Sequence, residues 1–112
     1  MRKRVPLALL ALSLVACQGK EKSSLERGAG VYARACASCH GSPGMPGRTV
    51  GFAVEPPDLS DEGLQRRLSD ADLRRTVTQG KGQMPAFGRM LNDEELSQLV
   101  VYLRSLGASR EK

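Results

Sequence analysis

Two thiols three positions apart, with an imidazole directly after the second, constrain this chain more than any other feature of it. They stand in Cys36-Ala37-Ser38-Cys39-His40, and the 112 residues hold only one further Cys, Cys17, and no further His. A closed structural zinc site needs four ligands, which this set cannot supply. An iron–sulfur cluster fails on the same count. A thioredoxin-like redox pair requires strand and helix to alternate around the motif, and nothing nearby reads convincingly as a strand. A disulfide between Cys36 and Cys39 stays open, although it leaves His40 without a role.

The spacing C-x-x-C-H is also the attachment signature of haem c. Its geometry has a reason: each thiol can form a thioether to one haem vinyl, while the adjacent imidazole is delivered to the iron. Composition agrees. A chain of this length makes one small domain, and with two Phe, two Tyr and no Trp it lacks the aromatic bulk that usually fills a core. A buried cofactor would supply that bulk. The expectation is one haem c, bound through Cys36 and Cys39, with His40 as an iron ligand.

An iron held by His40 needs a second axial partner, and Met45, Met84, Met90, a Lys or water are the candidates. Met84 is the best placed of them. It sits in the run Gly80-Lys81-Gly82-Gln83-Met84-Pro85-Ala86-Phe87-Gly88, where glycines let backbone approach a flat ligand and Pro85 stiffens the turn. A thioether on haem iron raises the reduction potential and fills the coordination position, which suits electron transfer. Met45 lies too close to the motif in the chain to reach the far face comfortably, and Met90 is near the start of the last helix. Simple core packing is the plain alternative for Met84.

The chain opens with Arg2, Lys3 and Arg4, followed by an uncharged run over 5–16 and then Cys17. A basic start and a short apolar run make a secretory signal, and about a dozen residues is too short to span a bilayer as a helix. Leu14-Val15-Ala16-Cys17 resembles the lipobox of bacterial lipoproteins, in which the thiol is lipidated after cleavage. Cys17 is the odd cysteine once Cys36 and Cys39 serve one site, which supports that role. Ordinary cleavage nearby, leaving a soluble periplasmic protein, is the alternative. Setting the three early basic residues aside takes the formal net charge from +5 to +2, and two haem propionates would bring it near zero. The charge therefore gives no reason to expect nucleic acid.

Residues 18–24 are polar and aperiodic, a flexible tether. Leu25, Gly28, Tyr32 and Ala35 recur at helical intervals and predict a first helix running into Cys36. The span 41–57 is rich in Gly and Pro and reads as a long loop around a cofactor edge. Ser60 is expected to cap a short helix carrying Leu64 and Leu68, and Ser69 with Asp72 to cap the next, which Gly80 ends. Asn92 with Glu95 opens the clearest helix, through Leu96, Leu99, Val100, Leu103 and Leu106, with Gly107 placed to terminate it. The fold class is all-α, a small domain with long connections.

From Leu25 to Leu106 these residues resemble the class I c-type cytochromes. Gly28 with Tyr32 looks like that family's first helix, whose Gly permits close crossing of the last one; residues 92–106 look like the last helix, with the Tyr102 ring near the crossing. Met84-Pro85-Ala86-Phe87 looks like the axial-ligand loop. The resemblance implies a cytochrome c-like fold wrapped around one covalent haem. It also implies a Pro carbonyl holding the ligand imidazole, with Pro57 in that position and Pro56 as runner-up. Arg48 is a candidate for a propionate, and Lys81 and Arg89 for steering an acidic partner.

The expected organisation is a lipoprotein-type signal peptide over 1–16, lipidated Cys17 and a tether over 17–24, a cytochrome c domain over 25–107 and a short tail over 108–112. The expected function is single-electron transfer between membrane-bound or periplasmic redox proteins, without a small-molecule substrate or catalytic acid, base or nucleophile. A haem sensor or peroxidase-like protein with a displaceable Met84, and a subunit docked in a larger oxidoreductase, are the alternatives.

Overall fold

Where Ser or Asn precedes an acidic residue by three positions, the backbone has a ready way to start a helix, and three of the helices here begin so. The computed structural model describes residues 21–42 and 53–108. Its elements are α1 (Ser24–Ala35), α2 (Ala37–His40), α3 (Glu62–Arg67), α4 (Asp70–Gln79) and α5 (Asp93–Ala108), with no strand among the described residues. The signal, Cys17, residues 18–20 of the tether, Met45, Arg48 and residues 109–112 lie outside them.

At α1, Ser23 Oγ accepts the Glu26 N–H at 3.2 Å while Glu26 Oε2 accepts the Ser23 N–H at 3.3 Å. Ser69 and Asp72 exchange the same pair at α4, both at 3.0 Å. Asn92 and Glu95 do so at α5, at 2.8 and 3.0 Å. Removing such a cap side chain at Ser23, Ser69 or Asn92 costs about 1 kcal/mol. The cap of α1 thus uses the last two residues of the stretch read as tether.

Two sequence expectations need correction. Ser60 does not cap α3: its hydroxyl donates to Asp58 Oδ1 at 2.6 Å, and Asp61 takes the cap, its Oδ1 accepting the Leu64 N–H at 2.8 Å. The charged acceptor wins at a helix N-terminus, and Leu68 falls just beyond the last helical residue. Nor does Gly107 end α5, which runs on to Ala108. Gly107 is a packing residue, because a Cβ there would stand 2.7 Å from Gln65 Cγ.

The core lies where α1 crosses α5. A Cβ on Gly28 would overlap the Gln98 carbonyl oxygen and reach within 2.9 Å of Tyr102 Cβ, so only glycine allows this approach. Beside the crossing the Tyr32 and Tyr102 rings meet at 5.0 Å between centroids, tilted by 51°. Val31, Tyr32, Val77, Leu91, Leu96, Leu99 and Leu103 form one buried cluster around fully buried Leu99. Burying an aliphatic side chain of this kind contributes about 1.5–3 kcal/mol. Cys36, Ala37, Leu59, Met84, Phe87, Tyr102 and Leu106 pack on the cluster only half-buried. That half-covered layer carries the motif.

Candidate haem-binding site

Cys36 closes α1, its N–H donating to the Tyr32 carbonyl at 2.8 Å, and its φ of −120° breaks the helix. The chain restarts at once as the single turn α2, with the Cys39 and His40 N–H groups both donating to the Cys36 carbonyl, at 3.2 and 2.9 Å. One turn thereby carries Cys36, Cys39 and His40. Both thiols are free, so the disulfide reading is not what the structure shows. Burial pushes the Cys36 thiol up to about 11, with Arg34 pulling against it and Cys39 adding to it.

The turn ends at Gly41, whose φ of 80° and ψ of 170° lie in a region that only glycine enters without strain. The Tyr32 hydroxyl, on a side chain 4% exposed, donates to the Gly41 carbonyl. Burial, then Cys36 and Tyr102, push Tyr32 up to about 12, so it remains a donor across ordinary pH. This bond holds the backbone directly after His40. Nothing in the sequence pattern flagged it beyond the glycine following the histidine.

Burial lowers the pKa of His40, and the Pro57 backbone carbonyl acts in the opposite direction by a smaller amount. The imidazole is thus kept neutral, the form that ligates a metal. Among the described residues its buried Nδ1 makes no hydrogen bond within normal limits, and the Pro57 carbonyl is the backbone group that acts on the ring.

Met84 is half-buried and packs against the same core cluster as Cys36 and Ala37. Lys81 and Met84 exchange backbone bonds at 3.1 and 3.0 Å, closing a four-residue turn with Gly82 at φ 57°. The Phe87 and Gly88 N–H groups donate to Val77 and Thr78 at 2.9 and 3.1 Å, tying the loop to the end of α4. The glycines also shape the loop itself. Gly80, at φ 75°, makes room for the loop's own backbone, since a Cβ there would be 2.6 Å from the Met84 carbonyl oxygen. Gly82 has nothing within 4 Å of that position. Met90 is 68% exposed, turned away from the core, and Lys81 and Arg89 are exposed beside the loop.

Two free thiols and an imidazole on one turn, with a soft thioether packed half-buried against the same core cluster as Cys36, fit a haem. These features, in an all-α domain of this size, are those of a small monohaem c-type cytochrome. Comparison with known proteins goes one step further. The family model described as "Cytochrome C oxidase, cbb3-type, subunit III" matches residues 23–103, and the chain belongs to that family. The cbb3-type cytochrome c oxidase subunit CcoP of Azospirillum brasilense is 33% identical over 91 residues, covering 80% of this chain and 31% of that protein. Subunit FixPc of Rhizobium leguminosarum bv. viciae is 34% identical over 83 residues, 73% of this chain and 28% of that one. Cytochrome c6 of a Picosynechococcus species is 29% identical over 108 residues, 92% of each. The chain spans about a third of the length of the cbb3-type subunits it matches. Its cofactor is covalently bound haem c.

Proposed function

We propose that this chain is an exported carrier of single electrons working at a membrane surface, and not an enzyme. In this reading Cys36 and Cys39 hold the haem, His40 and Met84 are its axial ligands, and the Pro57 carbonyl holds the His40 ring. What supports it is that Cys36 and Met84 both pack, half-buried, against the same core cluster, with His40 delivered by the turn that Cys36 opens. When bound, the haem supplies a one-electron iron couple whose potential its ligands set. The chain's own residues fix the surroundings. The Tyr32 hydroxyl stays a neutral donor and, through the Gly41 carbonyl, holds the backbone directly after His40.

The same reading makes Cys17 the lipidated first residue of the mature protein, on a short polar leash. The lipobox-like residues and the odd cysteine support this, and a soluble periplasmic form is the alternative. No helix among the described residues is long and apolar enough to cross a membrane. The redox partners are then membrane-bound or periplasmic proteins. A second reading is favoured by the relatives' names: a haem domain acting within an oxidase assembly.

One experiment separates these. Visible spectra of the oxidised and reduced holoprotein, with and without Met84→Ala, should show a six-coordinate iron that the substitution opens to external ligands. An iron open in the unsubstituted protein points to the sensor or peroxidase-like alternative. Release of the folded holoprotein free of other subunits under mild extraction supports the carrier; stable co-purification with an oxidase supports the assembly.

A further inference from the structure

The densest polar network among the described residues does not touch the haem ligands. It joins the chain after Pro57 to α5. Gln65, on α3, donates through Nε2 to two backbone carbonyls, Leu59 at 2.7 Å and Leu103 at 2.9 Å. Its Oε1 accepts from Arg104 Nη1 at 2.9 Å, and the same nitrogen donates to the Gln65 carbonyl at 2.8 Å. Arg104 also reaches the Leu68 carbonyl at 2.6 Å and Asp70 Oδ1 at 2.8 Å. The Gln65 side chain lies in the space that Gly107 leaves, where a Cβ would come within 2.7 Å of Cγ and 3.0 Å of Cδ.

What this network secures is the segment leading away from His40. Leu59 packs on the core with its carbonyl pinned to α5 by Gln65. Between Pro57 and Leu59 the chain has little freedom, since Asp58 Oδ1 accepts from Ser60 N–H at 2.9 Å and the Asp58 carbonyl from Asp61 N–H at 3.1 Å. Without the pin, a loop joined only at its ends would let the Pro57 carbonyl drift from the ring. Two facing α-helical turns are tied through one amide, and α3 is too short to be held by its own hydrogen bonds.

We infer that Gln65, oriented by Arg104 and given room by Gly107, is a positioning residue that fixes where the Pro57 carbonyl meets the His40 ring. This rests on the reading of His40 as the iron ligand with Pro57 behind it. A firmer bond from the ring N–H to a carbonyl makes the imidazole more basic and favours oxidised iron, so slackening it raises the potential.

The test uses the haem-loaded protein. Gln65→Glu keeps shape and the Arg104 contact but removes both N–H donors, because an ionised carboxylate only accepts. Gly107→Ala attacks the same side chain from α5. Arg66→Gln, which removes an exposed ion pair with Glu62 on α3 that lies outside the network, is the control. The readouts are the midpoint potential and the His40 ring N–H proton shift by NMR, which report the folded population and so do not follow stability alone. Both Gln65→Glu and Gly107→Ala should raise the potential and move the ring proton upfield, towards a weaker hydrogen bond, while Arg66→Gln leaves both in place. If the two variants fold and lose stability with potential and ring proton unchanged, the network is structural only and the inference is overturned. His40 ring protons lacking any haem-induced shift in the unsubstituted protein would overturn the ligand reading itself, and this role with it.

Discussion

Replacing Gly80 by Ala should damage both stability and the Met84 end of the site, for reasons readable from the backbone. At φ 75° and ψ 173° Gly80 occupies a region where any other residue is strained by about 1–3 kcal/mol. The added Cβ would also meet the Met84 carbonyl oxygen at 2.6 Å and both Ala86 N and Pro85 C at 3.0 Å. Ordinary contact begins near 3.4 Å, so the Met84 carbonyl must retreat by about 0.8 Å. A shift of that size in the Met84 backbone should weaken the proposed ligation through its thioether. Strain and overpacking together give a loss on the order of 2–4 kcal/mol. Denaturant unfolding of the oxidised holoprotein measures the loss, and its absorption spectrum reports methionine ligation. Gly82→Ala is the matched comparison: its φ of 57° makes it costly by about 1 kcal/mol, but open space around it should leave the spectrum alone. A Gly80→Ala protein within about 0.5 kcal/mol of the parent, with an unchanged spectrum, would refute this reasoning.

Gly28→Ala should cost about 3 kcal/mol in thermal unfolding, because its Cβ meets backbone of α5 that cannot move without parting the helices. Tyr32→Phe should lose about 1–2 kcal/mol through the unpaired Gly41 carbonyl. The parent should also carry an alkaline dependence that this variant lacks. Since Tyr32 is raised from 10.0 to about 12 on folding, its neutral form is favoured when folded, and that stability is complete below pH 10 and is lost progressively towards pH 12. Matching stability profiles of parent and variant over that range would contradict the buried donor. Cys17→Ser should shift the protein from the membrane fraction to the soluble one on cell fractionation; equal partition without detergent means there is no lipid anchor.

Capping pairs and periodic apolar residues made the helices legible, because local hydrogen bonds and a helical repeat are written in neighbouring positions. Ser69 with Asp72 and Asn92 with Glu95 were found this way and hold as drawn. Ser60 was misread because two adjacent side chains, Ser60 and Asp61, could each cap, and only the turn made by Asp58 decides between them. Gly107 was misread for a deeper reason. A glycine that ends a helix and one that admits a neighbour look alike in sequence, and its neighbour, Gln65, lies 42 positions away. Gly80 ends α4 as expected, but the close return of the chain to it at Met84 is written in no local pattern. The motif Cys36 to His40 was legible because its chemistry lies within five residues, whereas the Tyr32 bond to Gly41 and the Gln65 network join groups that share no pattern.

The central claim is that one haem is bonded to the chain through Cys36 and Cys39. Mass spectrometry of the proteolytic peptide spanning residues 36–40, taken from fully denatured protein, tests it directly. The account predicts that this peptide carries the mass of one haem, and that Cys36→Ala with Cys39→Ala together abolish it. A peptide of bare mass with two free or disulfide-linked thiols, from protein that had bound haem before denaturation, would contradict it.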